Sequence, residues 1–456
     1  MTTSPQPFFT PERTILELGE RFYDPVVAAD FPETILRFRN DRAAASVGLA
    51  GLSNEEWVKH FGRFVPLPGS LEQPLALRYH GHQFRNYNPD IGDGRGFLFA
   101  QMRDSGGRLM DLGTKGSGQT PWSRFGDGRL TLKGGVREIL ATEMLEALGV
   151  NTSKSFSLIE TGEALHRGDE PSPTRSAVLV RLSHGHIRIG AFQRQAYLND
   201  ADALRRLTDY TLRHLYGEEP GEEAPLRLLD QVVTRTARLA GQYMGAAFVH
   251  GVLNSDNINV TGESFDYGPW RFTPIWDPGF TAAYFDQTGL YAFGRQPEAI
   301  HWDAMQLAVA LRPIAESDPM IAILETFGDH YRGSVAQAIL WRLGRTPGDD
   351  RANTALLQTL ERTLRETQAP VDRFLFDAFA QPLPAIYGEP FAELSQQLAL
   401  FAPRKDRAHP YWSDAEPCSM LIDEVEAIWS AIDERDDWQP LHDKVAAIRR
   451  MGEALA

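Results

Sequence analysis

At 456 residues the chain exceeds the length at which one hydrophobic core usually stops growing, so two lobes or domains are expected. Its 42% hydrophobic and 23% charged residues are those of a globular protein, and a net charge of −15 excludes nucleic-acid binding through a general basic field while leaving room for a local basic pocket that holds a small anion. The single cysteine, Cys418, excludes an intrachain disulfide or a Cys-rich zinc site; with no secretory leader and no apolar run near the roughly 20 residues that span a bilayer, the expectation is a cytoplasmic protein with no membrane partner.

Residues 1–70 mix short apolar runs with Pro and charge and read as an irregular extension. From 71 to 195 the text is strand-like with Gly-rich turns. "GFLFAQMRD" (96–104), "SGG" and "RLMDLGTK" (108–115) predict a β-hairpin. "VREILATEMLEALG" (136–149) predicts a helix, with Val136, Ile139, Leu140, Met144, Leu145 and Leu148 on one face and Gly149 as its stop. "SAVLVRLSHGHIRIGAF" (176–192) returns to strand character. Residues 226–250 read as a long amphipathic helix, and 298–456 carry several more, among them "AIHWDAMQLAVALRP" and "DEVEAIWSAI". The pattern predicts an α+β fold with a small β-rich lobe over 71–195 and a large helical lobe over 196–456.

Four pieces could hold a nucleotide triphosphate. "GDGRGF" (92–97) offers Gly92 and Gly94 for close backbone approach to phosphate and Arg95 as a fixed charge, although such a turn alone is more often an ordinary hairpin turn. Lys115 ends the next strand and calls for an acidic partner on the following helix, where Glu138, Glu143 and Glu146 compete. "GDGR" recurs at 126–129, with Asp127 and Gly128, inside a Gly-rich tract that is either a second phosphate-facing loop or a flexible connector. Arg181 and Arg188, in a mostly apolar strand, need an anion if they face inward, whether a side chain or a phosphate. His80 and His82 lack a third ligand nearby and read as structural.

The fourth piece is "HGVLNSDNINVTGESFDYG" (250–268), which has the frame of a kinase catalytic loop followed by its metal-binding segment. His250 and Asn257 keep the spacing, and Asp266-Tyr267-Gly268 stands where Asp-Phe-Gly would. Asn257 and Asp266 are oxygen donors suited to magnesium. The base position two residues after the His is Val252, which cannot take a proton. Alone, "NSDN" would be an Asx-type turn.

"YHGHQFRNYNPDIGDGRGFLFAQ", "DLGTKGSGQTPWSRFGDGRLTLKGGVREILATEMLEALGV", "HGVLNSDNINVTGESFDYGPWRF" and "YAFGRQPEAIHWDAMQLAVAL" closely resemble the selenoprotein O family, known in bacteria as SelO or YdiU, over roughly residues 70–312. The resemblance implies a protein-kinase-like two-lobed fold that binds ATP inverted and transfers AMP to Ser, Thr or Tyr hydroxyls of proteins, with self-modification left open. It assigns nucleotide contacts to Gly92, Gly94, Arg95, Lys115, Asp127, Gly128, Arg181 and Arg188, with Glu138 pairing the lysine. Asn257 and Asp266 become the magnesium ligands and Asp256 the proton acceptor. Some members are described as uridylyltransferases using manganese, so UTP and Mn²⁺ stay open. Two competing classes are a kinase-like phosphotransferase, which would keep an Asp at position 252, and a non-catalytic ATP-binding pseudokinase. Many members finish with a redox-active cysteine or selenocysteine motif. This chain has only Cys418, well upstream, so redox control through a cysteine pair is not carried over.

Overall fold

The computed structural model describes residues 8–168 and 170–456. Strands concentrate in the first part of the chain and helices in the rest, which gives the expected α+β class. The strands up to residue 183 are β1 (Thr10–Glu12), β2 (Tyr23–Pro25), β3 (Ile35–Arg39), β4 (Leu75–Leu77), β5 (Gly81–Gln83), β6 (Asn86–Asn88), β7 (Leu98–Arg103), β8 (Leu109–Lys115), β9 (Leu130–Thr131), β10 (Lys154–Leu165) and β11 (Thr174–Ser183). Nine of them form one antiparallel sheet of order β2-β4-β7-β8-β11-β10-β3, with β1 on β7 and β9 on β11; β5 and β6 form a separate hairpin.

Every residue of β8 is buried, as a central strand covered on both faces requires. Helices α1 (Asp41–Ser46) and α2 (Asn54–Phe61) bring Trp57 and Phe61 onto one face, where Trp57 stacks on Phe156. Helix α3 (Leu132–Ala147) covers the other with Val136, Ile139 and Leu140. It begins four residues before the expected start, because Thr131 caps it by accepting from Gly134 N–H and its two early glycines hid the first turn from the pattern. Gly149 follows the helix at φ 77°, a left-handed stop.

Two expectations need correction. Residues 10–39, read as irregular, supply three strands of the sheet; each is only three to five residues long, too short to show an alternation. The strand expected over 176–192 ends at Ser183, Gly185 turns the chain at φ 77°, and "IGAF" opens α4 (Ile189–Tyr197).

The helical part continues with α5 (Ala201–Tyr210), α6 (Ala224–Ala246), α7 (Gln296–Leu311), α8 (Ser317–Glu325), α9 (Phe327–Arg342), α10 (Asp350–Thr367), α11 (Val371–Ala378), α12 (Ala392–Leu398), α13 (Ile422–Arg435) and α14 (Gln439–Leu455). Helix α6 packs on α7 and α9 and delivers the chain through Ala247, at φ 55°, into the 250–268 loop. Helix α14 returns to α3, where Arg449 clasps Glu143 through two hydrogen bonds of 2.8 and 2.6 Å. Among the described residues no helix is long and apolar enough to cross a membrane.

Candidate active site

A cleft of about 700 Å³ is lined by the 92–97 loop, the ends of β8 and β11, the 122–129 loop, and by Arg188, Asp256 and Asp266. Arg95, Lys115, Arg124, Arg129, Arg167, Arg181 and Arg188 outnumber its four carboxylates, so a strongly acidic chain folds around a locally cationic cleft.

The glycines of the first loop serve its contact with the second. A Cβ on Gly92 would stand 2.6 Å from the Trp122 ring, and one on Gly94 would stand 2.9 Å from the Trp122 carbonyl oxygen. Thr120 Oγ1 and Ser123 Oγ donate to the Asp93 and Gly94 carbonyls, each at 2.5 Å. Arg95 is exposed at the rim. In the second loop, Asp127 accepts from both terminal nitrogens of Arg167, at 2.8 and 3.1 Å, and from Arg129 N–H. Burial opposes its charge, and these donors outweigh burial and hold the carboxyl below its ordinary value. Gly128, at φ 70°, lies against the Gly118 backbone, where a side chain would collide at 2.3 Å. Asp127 and Gly128 thus shape the loop as well as lining the cleft.

Lys115 Nζ sits 2.5 Å from Glu138 Oε1 and 2.7 Å from Asp266 Oδ1. The three competing glutamates separate by partner: Glu143 belongs to Arg449, and Glu146 to Arg42 and Lys154. Glu138 itself lies behind the cleft wall, fully buried, with Oε2 unpartnered among the described residues. Arg181 Nη1 approaches Asp266 Oδ1 at 3.4 Å, while Arg188 donates to Asp93 Oδ1 at 3.2 Å and to the Asp256 carbonyl at 2.9 Å. Both arginines have acidic partners and still line the cleft.

Within the 250–268 loop, burial pushes the His250 imidazole down, and its Nε2 pairs with the Phe265 carbonyl at 3.1 Å. Its N–H donates to Gln296 Oε1 of α7 at 3.0 Å. Val252 lies outside the cleft lining. Asp256 lines it, with Oδ1 buried and unpartnered among the described residues. Burial pushes its carboxyl up to about 6, the charge of Asp266 adds to the rise, and Arg188 opposes it. Asp266 stands at φ 63°. Burial disfavours its charge too, but Lys115, Arg181, Arg188 and Arg95 outweigh burial and hold it well below the carboxylate range.

Asn257 is not among the lining residues; its Nδ2 donates to the Val252 carbonyl at 3.2 Å, which fixes the way its amide faces. Among the described residues no group of three or more His, Cys, Asp or Glu side chains could cage a metal. Two oxygen donors, an amide and an ionised carboxylate, nonetheless fit magnesium by type, since that cation keeps waters and phosphate oxygens as its other ligands. His80 and His82 are engaged structurally, with Tyr87 Oη at 2.8 Å and Gln193 Nε2 at 2.7 Å.

Sequence reasoning missed three residues here. Asp93 anchors Arg188; its signal was an acid between the two glycines of the first loop. Asp303 on α7 is fully buried with both carboxylate oxygens unpartnered among the described residues, and burial together with the charge of Asp256 pushes it well above its ordinary value. Its signal was an acid on the apolar face of "HWDAMQLAVAL". Gln83 lines the cleft beside Asp256 and gave no signal beyond its place in "YHGHQFRNYNPDIG".

The family model described as "Protein adenylyltransferase SelO" matches residues 8–397, extending the resemblance read from 70–312 at both ends. A protein of Gloeobacter violaceus named "Protein nucleotidyltransferase YdiU" is 44% identical, over 96% of this chain and 95% of its own length. One of the same name from Synechocystis sp. is 42% identical over 98% of this chain and 99% of its own. Another from Azotobacter vinelandii is 34% identical over 81% and 75%. The chain belongs to the SelO family of protein adenylyltransferases, and is a nucleotidyltransferase enzyme.

Proposed function

We propose that this chain has a protein-kinase-like two-lobed fold, with lobes over 71–195 and 196–456, and that it transfers AMP from ATP to Ser, Thr or Tyr hydroxyls of proteins in the cytoplasm. The observation that carries the reading is the pair of carboxylates in one cleft, Asp256 and Asp266, combined with a valine at the position where a phosphotransferase of this frame keeps its base. Asp266 is committed to cations, whereas Asp256 has an unpartnered oxygen and a carboxyl poised nearer neutrality.

In this reading the acceptor oxygen bonds to the α-phosphorus of ATP, the bond from that phosphorus to the β-phosphate oxygen breaks, and pyrophosphate leaves. Asp256 takes the hydroxyl proton. Lys115, Arg181 and Arg188 hold the departing phosphates, with Arg95 at the rim and the Gly92–Gly94 and Asp127–Gly128 loops shaping the wall. Glu138 keeps Lys115 aimed into the cleft. Asn257 and Asp266 would hold magnesium, which when bound neutralises phosphate charge.

Incubation with ATP labelled at the α- or the γ-phosphate, with and without added acceptor protein, tests the reading. Protein labelled from the α position alone is expected, and label without added acceptor reports self-modification. Label from γ alone overturns the reading in favour of a phosphotransferase, and label from neither in favour of a pseudokinase. A parallel arm with α-labelled UTP and manganese decides the nucleotide.

A further inference from the structure

The β5–β6 hairpin meets the 254–257 segment residue by residue. His82 N–H donates to Ser255 Oγ at 2.7 Å and Phe84 N–H donates to Asn254 Oδ1 at 3.0 Å. Its two central residues, Phe84 and Arg85, sit at φ 49° and 62°, a left-handed pair that usually calls for Asn-Gly. Such strain in bulky residues persists only where the surroundings enforce it. Here the Phe84 ring packs on Phe285 and Tyr291, and Tyr291 Oη donates to the same Asn254 oxygen at 2.7 Å.

The register pairs Gly81 with Asn88, His82 with Tyr87 and Gln83 with Asn86, so Gly81, Gln83, Asn86 and Asn88 share one face. The other face carries His82 and Tyr87 against Trp302 and Tyr197. On the first face Asp256 occupies the space that a side chain at 81 would fill. A Cβ there would stand 2.9 Å from Asp256 Cβ and 3.0 Å from its Oδ1. Asn88 Nδ2 donates to Gln83 Oε1 at 3.0 Å, which fixes the orientation of the glutamine amide. With its oxygen engaged, Gln83 is left to present its NH₂ group on the hairpin face that meets Asp256, and both side chains line the same cleft.

We propose that Gln83 is a positioning residue for Asp256, oriented by Asn88, and that the strained hairpin exists to hold this amide against the carboxylate. The inference rests on the reading of Asp256 as the proton acceptor. A donor fixed on one side of the carboxylate limits its rotation and leaves its remaining lone pairs for the incoming hydroxyl.

Steady-state transfer from α-labelled ATP by the full chain tests it. Gln83→Ala is expected to lower kcat by about 10- to 100-fold, the size of a lost hydrogen bond to a charged group, with KM for ATP within about twofold. Asn88→Asp is isosteric and keeps the oxygen that accepts from Asp90 N–H at 2.9 Å, but it cannot donate to Gln83. The glutamine amide should then turn its carbonyl toward Asp256, and kcat should fall as in Gln83→Ala. In the Gln83→Ala background, Asn88→Asp should cost nothing further, a non-additivity that a merely structural role does not produce. Equal costs of Asn88→Asp in both backgrounds, or kcat within about twofold of the parent in both single variants, overturn the inference. Asp256→Ala is the reference: if it abolishes transfer while the other two are silent, only this inference falls. Transfer that survives Asp256→Ala removes the base assignment and the inference together. Should Gln83→Ala fail to fold, Asn88→Asp alone decides by its kcat.

Discussion

Asp256 and Asp266 line the same cleft in opposite electrostatic settings. Asp266 is surrounded by Lys115, Arg181, Arg188 and Arg95 and stays ionised in spite of burial. Asp256 is buried, with Arg188 opposing and the charge of Asp266 adding to the effect of burial, and its carboxyl rises. In the proposed reading one end of the cleft holds negative charge in place and the other leaves a carboxylate able to exchange a proton. Two identical side chains are shifted in opposite directions by their surroundings.

The most direct way to break this contrast is Asp256→Ala. Transfer should fall by about 10²- to 10⁴-fold while ATP binding, measured by calorimetry, persists; equal loss of both would place Asp256 with Asp266 as a phosphate-end residue. Next comes Lys115→Ala at the cationic end. It leaves Glu138 buried without a partner, so thermal and urea unfolding should show a destabilisation of roughly 3–5 kcal/mol, together with weakened ATP binding. A smaller effect is expected from Arg167→Ala, which frees Asp127 from a half-exposed pair. Stability should change by about 0–1 kcal/mol and KM for ATP should rise by about threefold as the second loop loosens.

The mildest test uses Glu263, a buried carboxylate outside the cleft lining that burial pushes up to about 7. Its folded value exceeds its ordinary one of 4.5, so the folded state binds the extra proton between those values. Its stabilising contribution is fully present below about 4.5 and lost as pH rises through about 7, a fall of up to about 3 kcal/mol. Glu263→Gln should flatten that slope in pH-dependent melting and leave transfer within about twofold. Burial alone would then be shown to raise a carboxyl without giving it a chemical task, which is what separates Asp303 and Glu263 from Asp256.

The 250–268 loop was legible because its spacing is local: seven residues from His250 to Asn257 and nine more to Asp266 need no long-range contact. The β7–β8 hairpin was legible for the same reason, through its "SGG" turn. The β5–β6 hairpin was not, since Phe84-Arg85 carries none of the turn residues that announce a left-handed pair, and long-range contacts to Asn254, Phe285, Tyr291 and Glu298 sustain it. Lys115 was visible, but spacing left three glutamates open as its partner and only the family resemblance pointed to Glu138. Glu138, Glu143 and Glu146 differ in what reaches them from afar, and Arg449 lies 306 residues beyond Glu143. The short strands of residues 10–39 hid similarly, because each acquires meaning only beside a distant strand in the sheet.

That clasp of Arg449 on Glu143 bears on the order of biosynthesis. Helix α3 carries both Glu138 and Glu143, and it leaves the ribosome long before α14 does. The clasp itself forms only once residue 449 has been made, whereas Asn40 and Arg42, which also reach Glu143, precede it in the chain. The helix that carries Glu138 therefore receives one of its anchors from a helix made much later.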